Sequence, residues 1–431
     1  MKKLIRKIIP KPLLNFYHWK LAKLANIIYG HPSKKMTIIG VTGTTGKSTT
    51  VNLIAKILEQ AGNKVGLTST FNYKVGDQEQ INDTKMTMPG RFGLQKIMKE
   101  MVRAGCQYAV IETSSEGIAQ YRHLGIDYDV AVFTNLSPEH IESHGSFANY
   151  KEAKGKLFKS LIKNKRKAKK ISVVNLDDQQ ADYFLKFWAD EKWGFSTNKK
   201  LRAGNYNNVI AENISLESWG SKFLVNGHQV NFNLVGLFNV YNALATICVG
   251  LGLGLDLETI KGGLEGVEKI EGRLEEIEEG QDFKVIVDYA HEPRSLESVY
   301  QALKPTTLGR TIAVLGSCGG GRDKARRPIL GKLAAQYTDI VIVTNEDPYD
   351  EDPMTIIEQV AEGAIKNGKE LDKNLFKILD RRKAINKALS LAQKDDLVII
   401  TGKGAEQCIM GRRGERISWD DRRAARELLK E

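Results

Sequence analysis

The stretch MTIIGVTGTTGKSTT, residues 36–50, sets a short apolar run ahead of a Gly/Thr loop and a Lys-Ser-Thr opening, the order of a strand, a turn and a helix start. Such an order builds an anion site. Backbone N–H groups across Thr42, Gly43, Thr44, Thr45 and Gly46 can cradle phosphate oxygens, and the helix that follows aims its positive dipole end at the same anion. Lys47 would add a point charge toward the β- and γ-phosphates, and Ser48, with Thr49 beside it, a hydroxyl for Mg2+. The glycines stand at 40, 43 and 46, with Val41 in place of the first glycine of the usual G-x-x-x-x-G-K-[ST] spacing. A nucleotide site is expected here, on a loop of shifted glycines.

Outward from this loop, apolar runs at 64–70, 107–112, 129–135 and 171–175 read as strands, with helical stretches at 91–104 and 150–162. The alternation predicts a parallel sheet with ligands at the carboxyl ends of its strands. Residues 209–234 alternate polar and apolar around Asn226-Gly227, a hairpin signal, before a helix over 239–252. Around 262–280 Gly and Glu accumulate and the periodicity lapses; runs at 284–288, 311–315, 340–344 and 397–401 then read as strands of a second unit. The expected fold class is α/β. A basic segment over 1–35 precedes a central parallel-sheet P-loop ATPase domain over 36–268 and a Rossmann-like C-terminal domain over 269–431.

The chain carries 64 Lys+Arg against 52 Asp+Glu, and nine of those cations, with no acid, fall in its first 35 residues. Over 12–29, Leu13, Tyr17, Leu21, Leu24 and Ile28 recur at helical spacing beside Lys20 and Lys23. This helix either lies on an anionic membrane surface or packs its apolar stripe on the next domain. A second basic run, KSLIKNKRKAKK at 159–170, reads as an anion contact or a solvated face. No aromatics interleave with these charges, so a nucleic-acid partner is not expected. Cys106, Cys248, Cys318 and Cys408 show no paired spacing, which fits a reducing cytoplasm without zinc or disulfides. No apolar run is long enough to span a bilayer, and no signal-peptide cleavage site is found.

Glu112 closes an apolar run, where a carboxylate can hold Mg2+ against phosphates gripped by Lys47. His140, His144 and Lys154 cluster after the run at 129–135. In the second unit DYAHEP places Asp288 and His291 at a strand end, SCGGGRDKARRP (317–328) is a basic Gly-rich loop, and TNEDPYDEDP (344–353) and TGKGAEQ (401–407) follow other strands. Chemistry-bearing residues therefore converge on one edge of that sheet.

In sequence order, TGTTGKS, ETSS with Gln120 and Arg122, TNLSPEH, YKEAK, GLFNVYNALA, EGR, DYAH, GGGRDKARRP, DRRKAI and GKGAE resemble the motifs of the Mur ligases. These are ATP-dependent amide ligases of peptidoglycan precursor synthesis. The likeness is greatest to the branch adding the third amino acid to a UDP-N-acetylmuramoyl dipeptide. The resemblance implies a peptidoglycan-biosynthetic enzyme that uses ATP and Mg2+ to phosphorylate a carboxylate, which an amine then attacks. It implies catalysis by Lys47, Glu112, His140 and Lys154, with Ser48, Glu112, His140 and an N6-carboxylated Lys154 near the metal. Asn239, Asn242, Arg273, Asp288 and His291 would contact the nucleotide. Thr87, Ser114, Ser115 and Arg122 would meet the muramyl dipeptide, and Arg322, Asp347, Tyr349, Gly402 and Glu406 the incoming amino acid.

Three departures shape the expectation. The family's N-terminal uridine-nucleotide domain has no counterpart in residues 1–35, so the basic segment would supply a reduced pyrophosphate site or hold the protein near a membrane-borne substrate. Diaminopimelate-adding members carry D-N-P-R where this chain has Glu346-Asp347-Pro348-Tyr349. Tyr349 cannot grip a carboxylate as Arg does, and Asp347 with Glu406 would favour an amine end, so lysine or ornithine is expected over diaminopimelate. Glu116 and Ala405 replace histidines, which leaves open another carboxylate acceptor, lipid-linked or outside peptidoglycan, or a nucleotide-binding scaffold without turnover.

Overall fold

The computed structural model describes residues 11–139, 144–164, 168–199, 204–304 and 307–431. Its first sheet contains β1 (Thr37–Thr42), β2 (Val65–Thr68), β3 (Asn72–Val75), β4 (Gln78–Ile81), β5 (Tyr108–Glu112), β6 (Val130–Phe133), β7 (Ile171–Asn175), β8 (Glu191–Ser196) and β9 (Asn207–Ile210). The strand order is β4-β3-β2-β5-β1-β6-β7-β8-β9. β1 lies between β5 and β6 and is parallel to both, so chain crossovers diverge on its two sides. A crevice opens at the carboxyl end of such a strand, and that is where the Gly/Thr loop begins. Only the β2-β3-β4 edge is antiparallel.

β1 is buried on both faces, which explains its unbroken apolar run. Ile39 and Val41 face a core with Val51, Ile54, Leu58, Leu244 and Ile247 from the helices Lys47–Gln60 and Leu237–Gly252. Ile38 faces the opposite core with Met98, Met101, Leu157 and Phe158. A Cβ at Gly40 would lie 2.7 Å from the Tyr128 ring, so the loop's most N-terminal glycine serves packing.

A three-stranded antiparallel sheet follows, β10 (Glu212–Leu216), β11 (Ser221–Val225) and β12 (His228–Phe232). Its Asn226-Gly227 turn has φ of 49° and 81°, as a tight hairpin requires. The second α/β unit carries β13 (Glu275–Glu276), β14 (Lys284–Asp288), β15 (Thr311–Leu315), β16 (Ile340–Thr344), β17 (Leu375–Ile378) and β18 (Leu397–Thr401) in the order β13-β14-β18-β15-β16-β17. All its pairs are parallel except β13–β14. The loops after β14, β15, β16 and β18 therefore share one edge. Arg381 braces that edge, pairing with Asp421 at 2.7 Å while donating to the carbonyls of Asn345 and Thr401. β19 (Cys408–Met410) and β20 (Arg416–Ser418) form a closing hairpin.

One alternative is decided and two expectations change. The helix Lys11–Ile28 turns small residues inward, burying Ala22 and Ala25, while Leu13, Phe16, Tyr17, Leu24, Ile27 and Ile28 are 47% to 62% exposed. The alanine face admits Gly125, whose Cβ position lies 2.9 Å from Asn26, so the apolar stripe points to solvent rather than onto the domain. Gly262 and Gly263, read as the start of a boundary, belong to the helix Leu257–Glu265, where Gly263 packs against Ile57. Lys170, in the second basic run, is fully buried against Asp129 at 2.7 Å. No described helix is long and apolar enough to cross a membrane, and all four cysteines are free and buried.

Candidate active site

The phosphate loop is clamped by the end of β6. Asn135 Oδ1 accepts from Thr45 N and Oγ1 at 3.0 and 3.1 Å, Thr134 Oγ1 donates to Thr45 O at 2.7 Å, and Thr44 N donates to Asn135 O at 2.9 Å. Gly46 caps the following helix at φ 78°. A side chain at Gly43 would strike the Thr134 hydroxyl, and one at Gly46 the Asn242 amide. The shifted glycines are thus required by this particular loop. Lys47 Nζ turns back to Thr44 O at 2.7 Å, and burial lowers its pKa against the pull of Glu112 and Glu139.

Glu112 is buried at the end of β5, where its Oε2 accepts from Ser48 Oγ and Thr70 N, each at 2.8 Å. Thr70 Oγ1 reaches the same carboxylate at 3.1 Å and Thr87 Oγ1 at 3.0 Å. A hydroxyl and a carboxylate beside a phosphate cradle fit a hard divalent cation whose other ligands are phosphate oxygens and water. Among the described residues no three His, Cys, Asp or Glu side chains cluster for a metal. Lys154 is fully buried, donates to Gly43 O at 2.5 Å and sits 4.4 Å above the Tyr150 ring. Burial, then Lys47, holds its pKa well below that of an ordinary lysine. Glu139, in the same pocket, is pushed up to about 7 by burial and then Glu292. His144 Nε2 lies 3.2 Å from Ser115 Oγ, with its pKa lowered by burial and then Lys154. His140 lies outside the described residues.

The second unit closes over this loop. Arg273 lies 4.7 and 4.8 Å from the rings of Phe71 and Tyr289, which themselves meet edge to face across the two units. Asp288 accepts from Leu274 N at 2.8 Å and Ala290 N at 2.6 Å, and burial raises its pKa although Arg273 opposes. His291 Nδ1 is 2.9 Å from Tyr289 O, and neighbouring Glu292 is ion-paired with Arg326.

Two cavities meet here. The larger, about 410 Å³, is lined by Thr49, Asn239, Asn242, Asp288, Phe195 and Phe238 among others. The smaller, about 220 Å³, gathers Lys47, Ser48, Glu112, Lys154 and His291 with Thr87, Ser114, Ser115, Arg122, Arg322, Asp347, Tyr349, Gly402 and Glu406. Thr45, Gly46, Arg273 and Ser295 line both, so the phosphate loop lies where they join. Thr42 lines neither; it is the buried last residue of β1.

At the far end of the smaller cavity the expectation of a free acidic pair fails. Lys403 Nζ lies 2.8 Å from Asp347 Oδ1 and 2.5 Å from Glu406 Oε2, and Lys85 Nζ lies 2.5 Å from Glu406 Oε2 and 3.2 Å from Asp347 Oδ2. Burial would raise the Asp347 pKa, but Lys403 and Lys85 outweigh it and lower it. Both carboxylates are therefore already matched by cations from the chain itself. Lys85 and Lys403 escaped sequence reading, as did Glu139, Thr70 and Asn135, which hold or face expected site residues. Lys403 and Glu139 stand inside quoted motifs, GKGAE and TNLSPEH, and that was the available signal; Lys85 carries none.

Fold and cavities define a two-unit α/β protein of the phosphate-loop class. The pattern of the Mur ligase middle domain matches residues 41–250, and that of the Mur ligase glutamate ligase domain matches 272–404. Over 418 residues the chain is 39% identical to a UDP-N-acetylmuramoyl-L-alanyl-D-glutamate–2,6-diaminopimelate ligase of Caldanaerobacter subterraneus subsp. tengcongensis, covering 95% of this chain and 82% of the relative. It is 38% identical to a UDP-N-acetylmuramyl-tripeptide synthetase of Roseiflexus sp., covering 98% and 84%. A solved diaminopimelate ligase of the same description, 29% identical, superposes with a TM-score of 0.59 over 92% of this chain and 78% of that one. Folylpolyglutamate synthase of Mycobacterium tuberculosis, complexed with ADP, shares the fold at 17% identity, with a TM-score of 0.70 over 93% and 94%. The chain belongs to the Mur ligase family.

Proposed function

We propose that this protein is an ATP-dependent, ADP-forming ligase that joins a diamino acid to the carboxylate of a UDP-muramyl-dipeptide-like acceptor. The observation that carries this reading is the single cavity running from the phosphate loop, past Glu112 and Lys154, to Asp347 and Glu406. In this reading residues 36–268 hold the nucleotide and residues 269–431 bring the amino acid. Asn239, Asn242 and Asp288 line the base end. Lys47 leaves Thr44 O to neutralise the γ-phosphate while the acceptor carboxylate takes it, and Arg273 supports the same charge. The acyl phosphate is then open to the amine, and phosphate leaves. Ser48 and Glu112, with His140, would hold Mg2+, which would supply charge neutralisation between the two anions.

Lys154 deepens the argument. Its lowered pKa favours the neutral amine, the form that adds CO2 with loss of a proton to give an N6-carboxylate. The ammonium would repel Mg2+; the carboxylate would not. Amino-acid-dependent ADP release should fall roughly 100-fold or more in Lys154→Ala and, in the unaltered protein, should fall in CO2-depleted buffer and return with bicarbonate. ADP release untouched by both changes would remove Lys154 from the mechanism, and no release with any amino acid would favour a scaffold.

A second reading concerns the helix Lys11–Ile28. Its outward apolar residues, with Lys20 over Phe16 and Lys23 over Trp19, support peripheral contact with an anionic membrane, where a lipid-linked acceptor would also be found. Phosphatidylglycerol vesicles should co-sediment the protein, and phosphatidylcholine vesicles should not. Phe16→Glu combined with Ile27→Glu should abolish co-sedimentation while leaving kcat on a soluble acceptor unchanged. Equal sedimentation of both forms would refute the contact.

A further inference from the structure

Asp347 and Glu406 belong to the second unit, and Lys85 reaches them from the first. The loop that carries it is set rigidly. Lys85 has φ 57°, uncommon for a lysine, and Asn82 holds the loop on both sides, donating to Ser69 O at 2.8 Å and Met86 O at 3.0 Å while accepting from Thr84 N at 3.0 Å. Two residues on, Thr87 bonds Thr70, which holds Glu112. The conformation is thus imposed by the body of the first unit, and it aims an ammonium at carboxylates of the other.

The oxygens it meets are fully engaged. Asp347 Oδ1 accepts from Lys403 and from Met410 N at 2.8 Å each, and Oδ2 from Lys85 at 3.2 Å. Glu406 Oε2 accepts from both lysines at 2.5 Å, and Oε1 from Tyr289 OH at 3.3 Å. Two ammonium groups and two carboxylates leave no net charge. Lys403 is wholly buried, whereas the Lys85 side chain is 15% exposed and lines the cavity beside Glu406 at 13%, so of the two lysines Lys85 is the one an incoming molecule meets. Arg322, on the same cavity wall, adds a further cation 3.8 Å from Glu116.

We propose that Lys85 is a specificity-determining residue: by neutralising the Asp347–Glu406 pair from the opposite unit, it makes the pocket take an amino acid whose far end is zwitterionic or anionic and refuse one ending in a bare ammonium. This deepens the ligase reading and rests on it. An extra ammonium would face Lys85 with both Asp347 and Glu406 already engaged and Arg322 answered by Glu116. The carboxylate oxygen left without a partner among the described residues of this wall, Glu346 Oε2, belongs to a buried group whose pKa burial raises, away from the charged form an ammonium needs. Like-charge opposition of this kind is an effective rejecting element.

The test is amino-acid-dependent ADP release with meso-diaminopimelate, 2-aminopimelate, lysine and ornithine, comparing kcat/KM in the unaltered protein, Lys85→Met, Lys85→Gln and Lys85→Arg. The unaltered protein should favour diaminopimelate over lysine by more than about tenfold, with 2-aminopimelate also accepted; Lys85→Arg should keep that order. Lys85→Met or Lys85→Gln should shrink the ratio by about tenfold or more, chiefly through a lower KM for lysine. A preference for lysine in the unaltered protein overturns the inference. So does an equal loss for every amino acid in both neutral variants, since a merely structural lysine leaves the ratio unmoved. Should both neutral variants fail to fold, a ratio near one in the unaltered protein or a reversed order in Lys85→Arg overturns it equally. ADP release with none of the four would instead sink the ligase reading itself.

Discussion

The two ends of the smaller cavity are built in opposite ways. At the phosphate end, Thr45, Lys47, Ser48 and Lys154 find partners in backbone carbonyls or side chains of the same sheet, and the loop is shaped before any ligand arrives. At the amino-acid end, the charges are traded between units, with Lys85 opposite Asp347, Lys403 and Glu406. The phosphate loop is therefore shaped within one unit, with Arg273 added from the other, while the identity of the amino acid depends on how the two units meet.

That division can be broken by exchanging a lysine at each end for methionine. Lys47→Met removes the cation nearest the phosphates, and kcat should fall roughly 10³-fold while KM for the amino acid stays put. Lys403→Met leaves Asp347 and Glu406 with only Lys85. Removing one partner from a buried charge cluster costs roughly 3–5 kcal/mol, so urea unfolding should shift by an amount of that order. The amino-acid KM should rise, with a much smaller change in kcat for the folded fraction. If Lys47→Met altered chiefly KM, or Lys403→Met chiefly kcat, the two ends would not be separate in function.

The same contrast explains what could be read without coordinates. The strand-loop-helix of residues 36–50 is contiguous, its apolar run marks a strand covered on both faces, and its glycines answer local needs at Tyr128, Thr134 and Asn242. Strands β7, β14, β15, β16 and β18 were legible for the same reason, each being a short apolar run bounded by turn residues. The Lys85–Glu406 contact spans 321 positions and leaves no periodicity or spacing in the chain. Asp347 and Glu406 were found by resemblance, but the cations that cancel them were invisible, and so a balanced cluster was read as an acidic one. The helix Lys11–Ile28 was legible as a helix but not in its orientation. Its stripe was correctly periodic, yet two alanines on the other face allow a closer approach to Gly125 and decide which side turns inward.

The smallest expected effect sharpens the account of the phosphate end, where charge is conditional. Glu139 shares its pocket with Lys47 and Lys154, but burial and Glu292 lift its pKa from 4.5 to about 7. Between those values the folded protein keeps a proton that the unfolded chain has released. The stability owed to this group is thus fully present below pH 4.5 and lost as pH rises through about 7. The slope is at most about 1.4 kcal/mol per pH unit. Glu139→Gln removes the titrating proton, so urea midpoints measured across that window should lose part of their decline relative to the unaltered protein. An unchanged slope would mean that Glu139 is ionised throughout, as a constant counter-charge to the two lysines. The phosphate end would then be balanced by paired charges in the manner of the amino-acid end, and the contrast between them would narrow to which unit supplies the partners.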